Sequence, residues 1–346
     1  MSGSSKQSGN PGYAATQVQQ APQYARAQMT ANAMERKRIR ANASLPKQAW
    51  VGIENAVYPA MDDVLTVVAD LRSRGLTTSE SVSNKVSEWH KSDYDSTATV
   101  SMEPDTSTDE SEAQYDLDGS PVPLIHSDFS IGWRESGEGD GQVVDEDIET
   151  LNAEGSGRAV AEAMEKLALY GWEPSINGDD LGGVQDGYTM YGLANHPNVH
   201  TGTLGNWLTS PEVIREDLKD GMFRDMKDDN FRATNTGYMV YIGEGLEDVM
   251  EDPDPEGTGD RLIRDRIENL SDVGTIKVSQ FLEDDACLAF RPTKDVIDLS
   301  FALEEQVVQW EDPFRDNFKT VAAMTPRVKD TLRGQCGISY YTGGTS

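Results

Sequence analysis

Residues Ile148-Glu-Thr-Leu151-Asn-Ala-Glu-Gly155-Ser-Gly157-Arg-Ala-Val160-Ala161-Glu-Ala-Met164-Glu-Lys-Leu167-Ala168-Leu-Tyr170-Gly171 carry the clearest periodicity in the chain. Leu151, Val160, Met164 and Leu167, supported by Ala161 and Ala168, are expected on one side of a helix over residues 148–170. Gly171 is placed to end it, since glycine takes the left-handed conformation of a helix C-terminus without steric cost. Gly155 and Gly157 lie inside the pattern, where they permit close packing against a second helix.

Strand and turn signals surround this helix. Before it, Phe129, Ile131 and Trp133 alternate in His126-Ser-Asp-Phe-Ser-Ile-Gly-Trp133-Arg134, which gives a strand one apolar face. A Gly/Glu/Asp loop over 135–147 separates the two. Further upstream, Trp50, Ile53, Val57, Met61, Val64 and Val68 recur at three- and four-residue steps from Leu45 onwards, a helical spacing with Gly75 as its stop. Residues 87–120 are rich in Ser, Thr and Asp and alternate locally. They read as two strands of a long exposed hairpin turning near the acidic stretch 105–112.

Downstream, residues 172–206 are irregular and glycine-rich. Ser210 as N-cap and Pro211 at the first helical position open a helix that runs through Ile214, Leu218 and Met222 to about 229. Strands are expected at 238–242, 275–280, 286–290 and 296–302, with a short helix over 260–270 and several more strands in 305–341. Helices and strands interleave without regular βαβ alternation, so the fold class is α+β. No internal repeat is visible.

Sixty acids against 30 bases leave a net charge of -30 on 346 residues. Aspartate leads with 34, and lysine is scarce with 12. Such a surface repels itself at low ionic strength, whereas at molar salt the Debye length is only about 3 Å. The composition therefore points to adaptation to a salty cytoplasm. It argues against general nucleic-acid binding, which needs a basic surface. No apolar run approaches the roughly 18 residues of a membrane span. Met1-Ser-Gly-Ser-Ser-Lys6 has no apolar stretch behind it, so no secretory signal is expected.

The first 45 residues differ from the rest, being rich in Gln, Ala, Ser and Gly. Residues 1–50 hold seven bases and one acid, a local +6 against -36 on the remainder. This segment cannot build a core of its own and reads as an arm ordered by a neighbouring subunit. Its basic run, Glu35-Arg-Lys-Arg-Ile-Arg40, suits either the acidic surface of that neighbour or packaged nucleic acid.

Catalytic constellations do not emerge. His196 and His200 have the i,i+4 spacing of a zinc helix, but Pro197 interrupts them and no Glu follows His196. Asp252-Pro-Asp-Pro-Glu-Gly257 imitates half of a calcium loop, yet Ile263 stands at the twelfth position. No Gly-x-Gly-x-x-Gly, Walker lysine or Gly-x-Ser-x-Gly elbow is present. Cys287 and Cys336 lack zinc spacing and read as small buried hydrophobes in apolar strand-like runs. No catalytic residue, metal site or cofactor is assigned.

An acidic chain with an arm, a long hairpin and no catalytic cluster has the properties of an assembly subunit. Leu45-Pro-Lys-Gln-Ala-Trp50-x-x-Ile53-Glu54-Asn55 resembles the N-terminal helix of encapsulin (linocin-type) shell proteins. Pro123-Leu-Ile-His126-x-Asp128-Phe129-x-Ile131 resembles the strand before their long helix. Arg158-Ala-Val160-Ala161-Glu162-x-Met164-Glu165 and Tyr191-Gly192-Leu193 match in kind, and residues 310–340 look like their closing strands. These proteins share the Hong Kong 97 fold with the major capsid proteins of tailed viruses. The extra length of the arm, of 76–120 and of the axial part favours the virus.

The resemblance implies an N-terminal arm (1–45), a helical segment (46–86), an extended loop (87–146) and the spine helix of a peripheral domain (147–171). An axial domain (172–295) and returning peripheral strands (296–346) would follow. It further implies a virion protein without enzymatic activity, assembled in the host cytoplasm, that forms hexamers and pentamers of a closed icosahedral shell. Double-stranded DNA would be packaged inside; portal, cement or turret proteins are further partners, and no membrane is involved. The virus would infect a halophilic archaeon. An encapsulin-type compartment around a cargo enzyme, and a halophilic enzyme, are the alternatives.

Phe129, Ile131 and Trp133 would anchor the base of the extended loop, while Arg134 and Arg36, Lys37, Arg38 and Arg40 would meet acids across the subunit interface. Charge reversal at Arg36, Lys37, Arg38 and Arg40 is expected to block assembly while circular dichroism still reports a folded subunit. Normal shells from that variant, seen by electron microscopy, would refute the role.

Overall fold

The computed structural model of the chain describes residues 47–93, 114–132, 145–172, 188–207, 211–254, 261–312 and 315–343. The first apolar stripe folds as two helices, α1 (Lys47–Asp62) and α2 (Val67–Ser73), where the spacing suggested one. Val57, Met61, Val64 and Val68 are all buried, so both helices turn their apolar sides inward. Gly75 ends α2 at φ +69°, and the chain pairs at once as β1 (Thr77–Ser79).

The long helix α3 spans Asp145–Tyr170 and lies against α1. Their close approach is at Gly157, where a Cβ would stand 3.0 Å from the Val57 side chain and backbone oxygen. Gly155 faces open space instead. Ala153, Val160, Ala161, Met164 and Ala168 form the buried side. Leu151, expected with them, is 64 % exposed. It stands nine residues before Val160, two and a half turns away, and therefore on the opposite face.

Two sheets flank α3. The first has the order β1-β9-β10-β4, with β4 at Leu124–Gly132, β9 at Ile297–Asp312 and β10 at Arg315–Val328. Strand β9 is a single 16-residue strand, longer than the 296–302 expected, paired antiparallel to β10 through a bulge near Val321–Met324. Helix α3 crosses this sheet, and Ser156 donates to Thr320 Oγ1 at 2.8 Å. Phe129 of β4 and Phe318 of β10 stack with ring centres 4.9 Å apart. A separate pair, β2 (Val86–Asp93) and β3 (Gln114–Pro121), forms the expected hairpin, whose turn lies outside the described residues.

The second sheet has the order β5-β11-β8-β6-β7. Its strands are β5 (His200–Thr203), β6 (Tyr238–Ile242), β7 (Val273–Val278), β8 (Ala286–Phe290) and β11 (Ile338–Thr342). Strands β6 and β8 are buried along their whole length, so they read as continuous apolar runs. Around them pack α4 (Pro211–Glu216), α5 (Phe223–Asp228), α6 (Glu247–Glu251) and α7 (Ile263–Glu268). A π-helical stretch, 217–222, joins α4 to α5 without a gap, so the helix expected from 211 to about 229 is present with its middle wound as a π-helix; Ser210 lies outside the described residues. Residues 296–346 were expected to return together. Instead 297–328 stay in the first sheet and 338–342 insert between β5 and β8 of the second. The apolar alternation of β11 suits either sheet, and only its pairing decides.

The end of α3 is closed by the chain that returns beside it. Leu193 and Ala194 donate backbone N–H groups to the carbonyls of Ala168 and Leu169 at 3.0 and 2.7 Å. The Asn195 amide donates to the Tyr170 carbonyl and its Oδ1 accepts Gly192 N–H at 2.7 Å. The orphan carbonyls of the last turn are thus satisfied by Tyr191-Gly-Leu-Ala-Asn195. Gly171 turns away at φ +68°, and a Cβ on Gly192 would fall 2.4 Å from Gly171 N and the Leu169 carbonyl. All three obstacles are backbone. Gly192→Ala is therefore expected to lower stability by about 3 kcal/mol or more. Gly155→Ala, in open space within the same helix, should raise it by up to about 1 kcal/mol. Denaturant midpoints of the two variants check the contrast.

Candidate functional site

The β2–β3 hairpin has two unlike faces. Directly opposed pairs in an antiparallel ladder share a face. Ser87 with Ser120 and Trp89 with Asp118 point toward the first sheet, and Lys91 follows them. Glu88, His90, Tyr115 and Leu117 are exposed on the other side, Tyr115 at 64 % and Leu117 at 45 %.

What joins the hairpin to the sheet is polar. Ser120 and Thr325 hydroxyls are 2.7 Å apart, both buried. Arg327 donates its Nε to Ser87, pairs with Glu80 and reaches Asp298 Oδ2 at 3.4 Å. The Ser87 hydroxyl donates in turn to Glu80 Oε1 at 2.7 Å, and Thr78 donates to Asp298 Oδ2 at 2.6 Å. Burial draws the Arg327 guanidinium below its ordinary pKa. One base and two acids therefore share a desolvated site, where removing any partner costs more than the set contributes.

A second ionic group lies at the hairpin's other end. Lys91 Nζ stands 2.7 Å from Asp118 Oδ2 and 2.5 Å from Asp330 Oδ1. Burial opposes its charge, but the two carboxylates outweigh burial and hold the ammonium above its ordinary pKa. Asn198 donates to Asp330 Oδ2 at 2.6 Å. His196 faces this group from the loop, its ring edge-on to Tyr191 at 5.4 Å. Burial and Lys91 push its pKa down against Asp330 and Asp118. A cavity of about 20 Å³, one water in size, lies between Trp89, Ser120, Thr189 and His196. The arrangement fixes the pose of a hairpin; it offers no room for a substrate.

His196 and His200 do not converge. His200 sits on β5, with Nε2 3.0 Å from Asp229 Oδ2. Among the described residues no three metal-ligating side chains cluster. Cys287 and Cys336 are free and buried; burial raises both thiols, Cys336 to about 12. No described helix is long and apolar enough to cross a membrane.

Of the residues assigned to assembly, Phe129 stacks on Phe318 within the subunit. Ile131 pairs through its backbone with Asp316. The Ile131 side chain, and all of Trp133, Arg134, Arg36, Lys37, Arg38 and Arg40, lie outside the described residues. Sequence reading missed Lys91, Asp118, Arg327 and Asp298. Two signals were available: Asp298 interrupts the apolar run Val296-Ile-Asp-Leu299, and Arg327 follows the buried Ala322-Ala-Met324.

A family model described as "Family of unknown function (DUF6260)" matches residues 39–341. No curated protein matches the sequence. Among solved structures, a virus-like particle from Pyrococcus furiosus superposes with a TM-score of 0.56 at 13 % identity, covering 84 % of this chain and 98 % of that one. The capsid of Myoviridae phage XM1 gives 0.58 at 12 %, covering 78 % and 90 %. A chain from Mycobacterium phage Ogopogo gives 0.53 at 12 %, covering 81 % and 92 %. The likeness is one of fold: the chain has the α+β Hong Kong 97 fold.

Replacing Lys91 with Met should free the hairpin rather than unfold the subunit. The loss of charge-assisted bonds amounts to about 2 kcal/mol. Hydrogen exchange in β2 and β3 is expected to accelerate while β6 and β8 keep their protection.

Proposed function

The chain belongs to the DUF6260 family, whose description assigns no function, and we propose that it is a structural shell protein. In this reading it self-assembles, without enzymatic activity, into the icosahedral capsid of a tailed virus enclosing double-stranded DNA. The observation that carries the reading is the fold itself, matched over nearly the whole length of the phage and virus-like-particle chains above. The hairpin supports it: the structure spends two ionic groups on holding it and leaves Tyr115 and Leu117 exposed. A strand pair that contributes so little apolar burial to its own subunit is suited to lie on another.

The chain then divides as an arm (1–45), a helical segment (46–86), an extended loop (87–146), a spine helix (147–171), an axial part (172–295) and returning strands (296–346), with 338–342 given over to the axial sheet. Arg36, Lys37, Arg38, Arg40 and Arg134 meet acids of neighbouring copies, and Ile131 and Trp133 seat the loop. Copies group as hexamers and pentamers; portal and cement or turret proteins complete a virion assembled in the host cytoplasm. The charge of -30, rich in aspartate, fits a virus of a halophilic archaeon, since molar salt screens the repulsion between packed copies.

A second reading is an encapsulin-type compartment around a cargo enzyme, with which the match to the virus-like particle over 98 % of that chain is compatible. Particles purified from the native source and treated with nuclease separate the two: protected double-stranded DNA supports the virus, and a bound enzyme without it supports the compartment.

Tyr115→Ser with Leu117→Ser tests the hairpin face. In sedimentation velocity at molar salt the parent protein is expected as large closed particles and the double variant as single subunits or small rings. Full-size particles from the variant would remove the hairpin face from the assembly contacts.

A further inference from the structure

We propose that Glu165 is a buried proton switch at the joint between α3 and α2, holding the joint tight when protonated and loosening it when ionised. The inference concerns the folded subunit and does not depend on shell formation. Glu165 is fully buried on α3, one turn beyond Ala161 and one turn before Ala168, on the side that packs into the core. Its Oε1 accepts the backbone N–H groups of Thr66 and, at 3.1 Å, Val68. A side chain of the long helix therefore serves the first turn of α2, whose own N-cap residue Thr66 makes no side-chain bond there. The other oxygen, Oε2, is buried without a hydrogen-bond partner.

The charged groups around it are few. Asp70, on α2, sits close enough for its carboxylate to oppose ionisation of Glu165. Tyr241 of β6 donates to Asp70 Oδ2 at 2.8 Å, and Lys277 of β7 pairs with Asp70 Oδ1 at 2.6 Å. Arg74, at the end of α2, is engaged by Thr275 of β7 at 2.9 Å. Lys277 is thus committed to Asp70, and among the described residues no salt bridge involves Glu165 itself. Two effects compete. The backbone N–H groups of α2 favour the carboxylate, whereas burial and Asp70 favour the acid. Burial is the largest influence and raises the group from 4.5 to about 7.

The sign of the pH dependence follows. The folded chain holds the proton between about 4.5 and 7 while the unfolded chain has released it. Stability from this group is therefore complete below 4.5 and is lost as the pH rises toward and through 7. Ionisation places a charge with one unserved oxygen in the core at the point where α3, α2 and, through Asp70, strands β6 and β7 meet. The pH at which the switch acts is near neutrality, where modest changes of environment alter its occupancy.

The test compares the full chain with Glu165→Gln, which keeps the acceptor for Thr66 and Val68 and removes the proton. Denaturant midpoints are measured from about pH 5 to pH 8 at fixed molar salt. The parent midpoint is expected to fall between about pH 5 and 7 and to level off above, and that of the variant to fall less, so that the difference between the two curves changes across this window and is constant above it. Parallel curves would overturn the proposal. If Glu165→Gln does not fold, infrared difference spectra of the parent protein decide: a protonated-carboxyl band present at about pH 6 and gone at pH 8 supports the switch, and its absence at pH 6 overturns it. Asp70→Asn, which removes the opposing charge, should move the loss of that band to lower pH; an unmoved band would contradict the part assigned to Asp70.

Discussion

The backbone contact between Gly171 and Gly192 is the constraint on which the other arrangements rest. It ends the long helix, turns the chain, and returns it so that residues 193–195 satisfy the last carbonyls of α3. The helix is thereby fixed at its middle and at its C-terminal end to different layers. Ser156 ties its middle to β10 of the first sheet, and its last turn leads into the segment that feeds β5 of the second. Glu165 and Asp70 add the lateral tie through α2 to β6 and β7. Helix α3 and its cap thus link both sheets, within one core cluster to which each sheet contributes.

The hairpin is attached on different terms. Helices α1 and α3 meet through apolar side chains and a glycine, a contact that improves with burial alone. The hairpin meets its sheet through Ser120 and Thr325, Arg327 and Glu80, Lys91 and Asp330. Polar contacts of this kind specify one pose and add little net stability, because the desolvation of each group offsets most of what its bond returns. The hairpin is an appendage held for direction, with Tyr115 and Leu117 on its exposed side.

Most elements were legible because their signals are local. The 3.6-residue spacing of α3, its glycine stop, the alternation of β4 and the unbroken apolar runs of β6 and β8 state their own conformations. What was not legible depends on partners distant in sequence. The transfer of residues 338–342 to the second sheet is set by pairing with β5 and β8, more than 45 residues away, and nothing in Ile338-Ser-Tyr-Tyr-Thr342 names that choice. Helices α1 and α2 share one stripe, and the break between them shows only once Glu165, 97 residues after Val68, reaches the first turn of α2. The ionic groups that hold the hairpin were largely hidden by abundance: among 60 acids, Asp118 and Asp330 carry no mark until Lys91 is seen between them, and only Asp298 stands out, by breaking an apolar run.

The same abundance of acid shapes the whole account. Copies of a chain at -30 repel one another less where salt shortens the range of the repulsion. The most direct measurement is electron microscopy of the purified protein in concentrated salt and through stepwise dilution. Closed angular shells, or flat hexamers and pentamers, that come apart as the salt is withdrawn are the expected result. A monodisperse monomer at every salt and protein concentration would contradict the account at its centre.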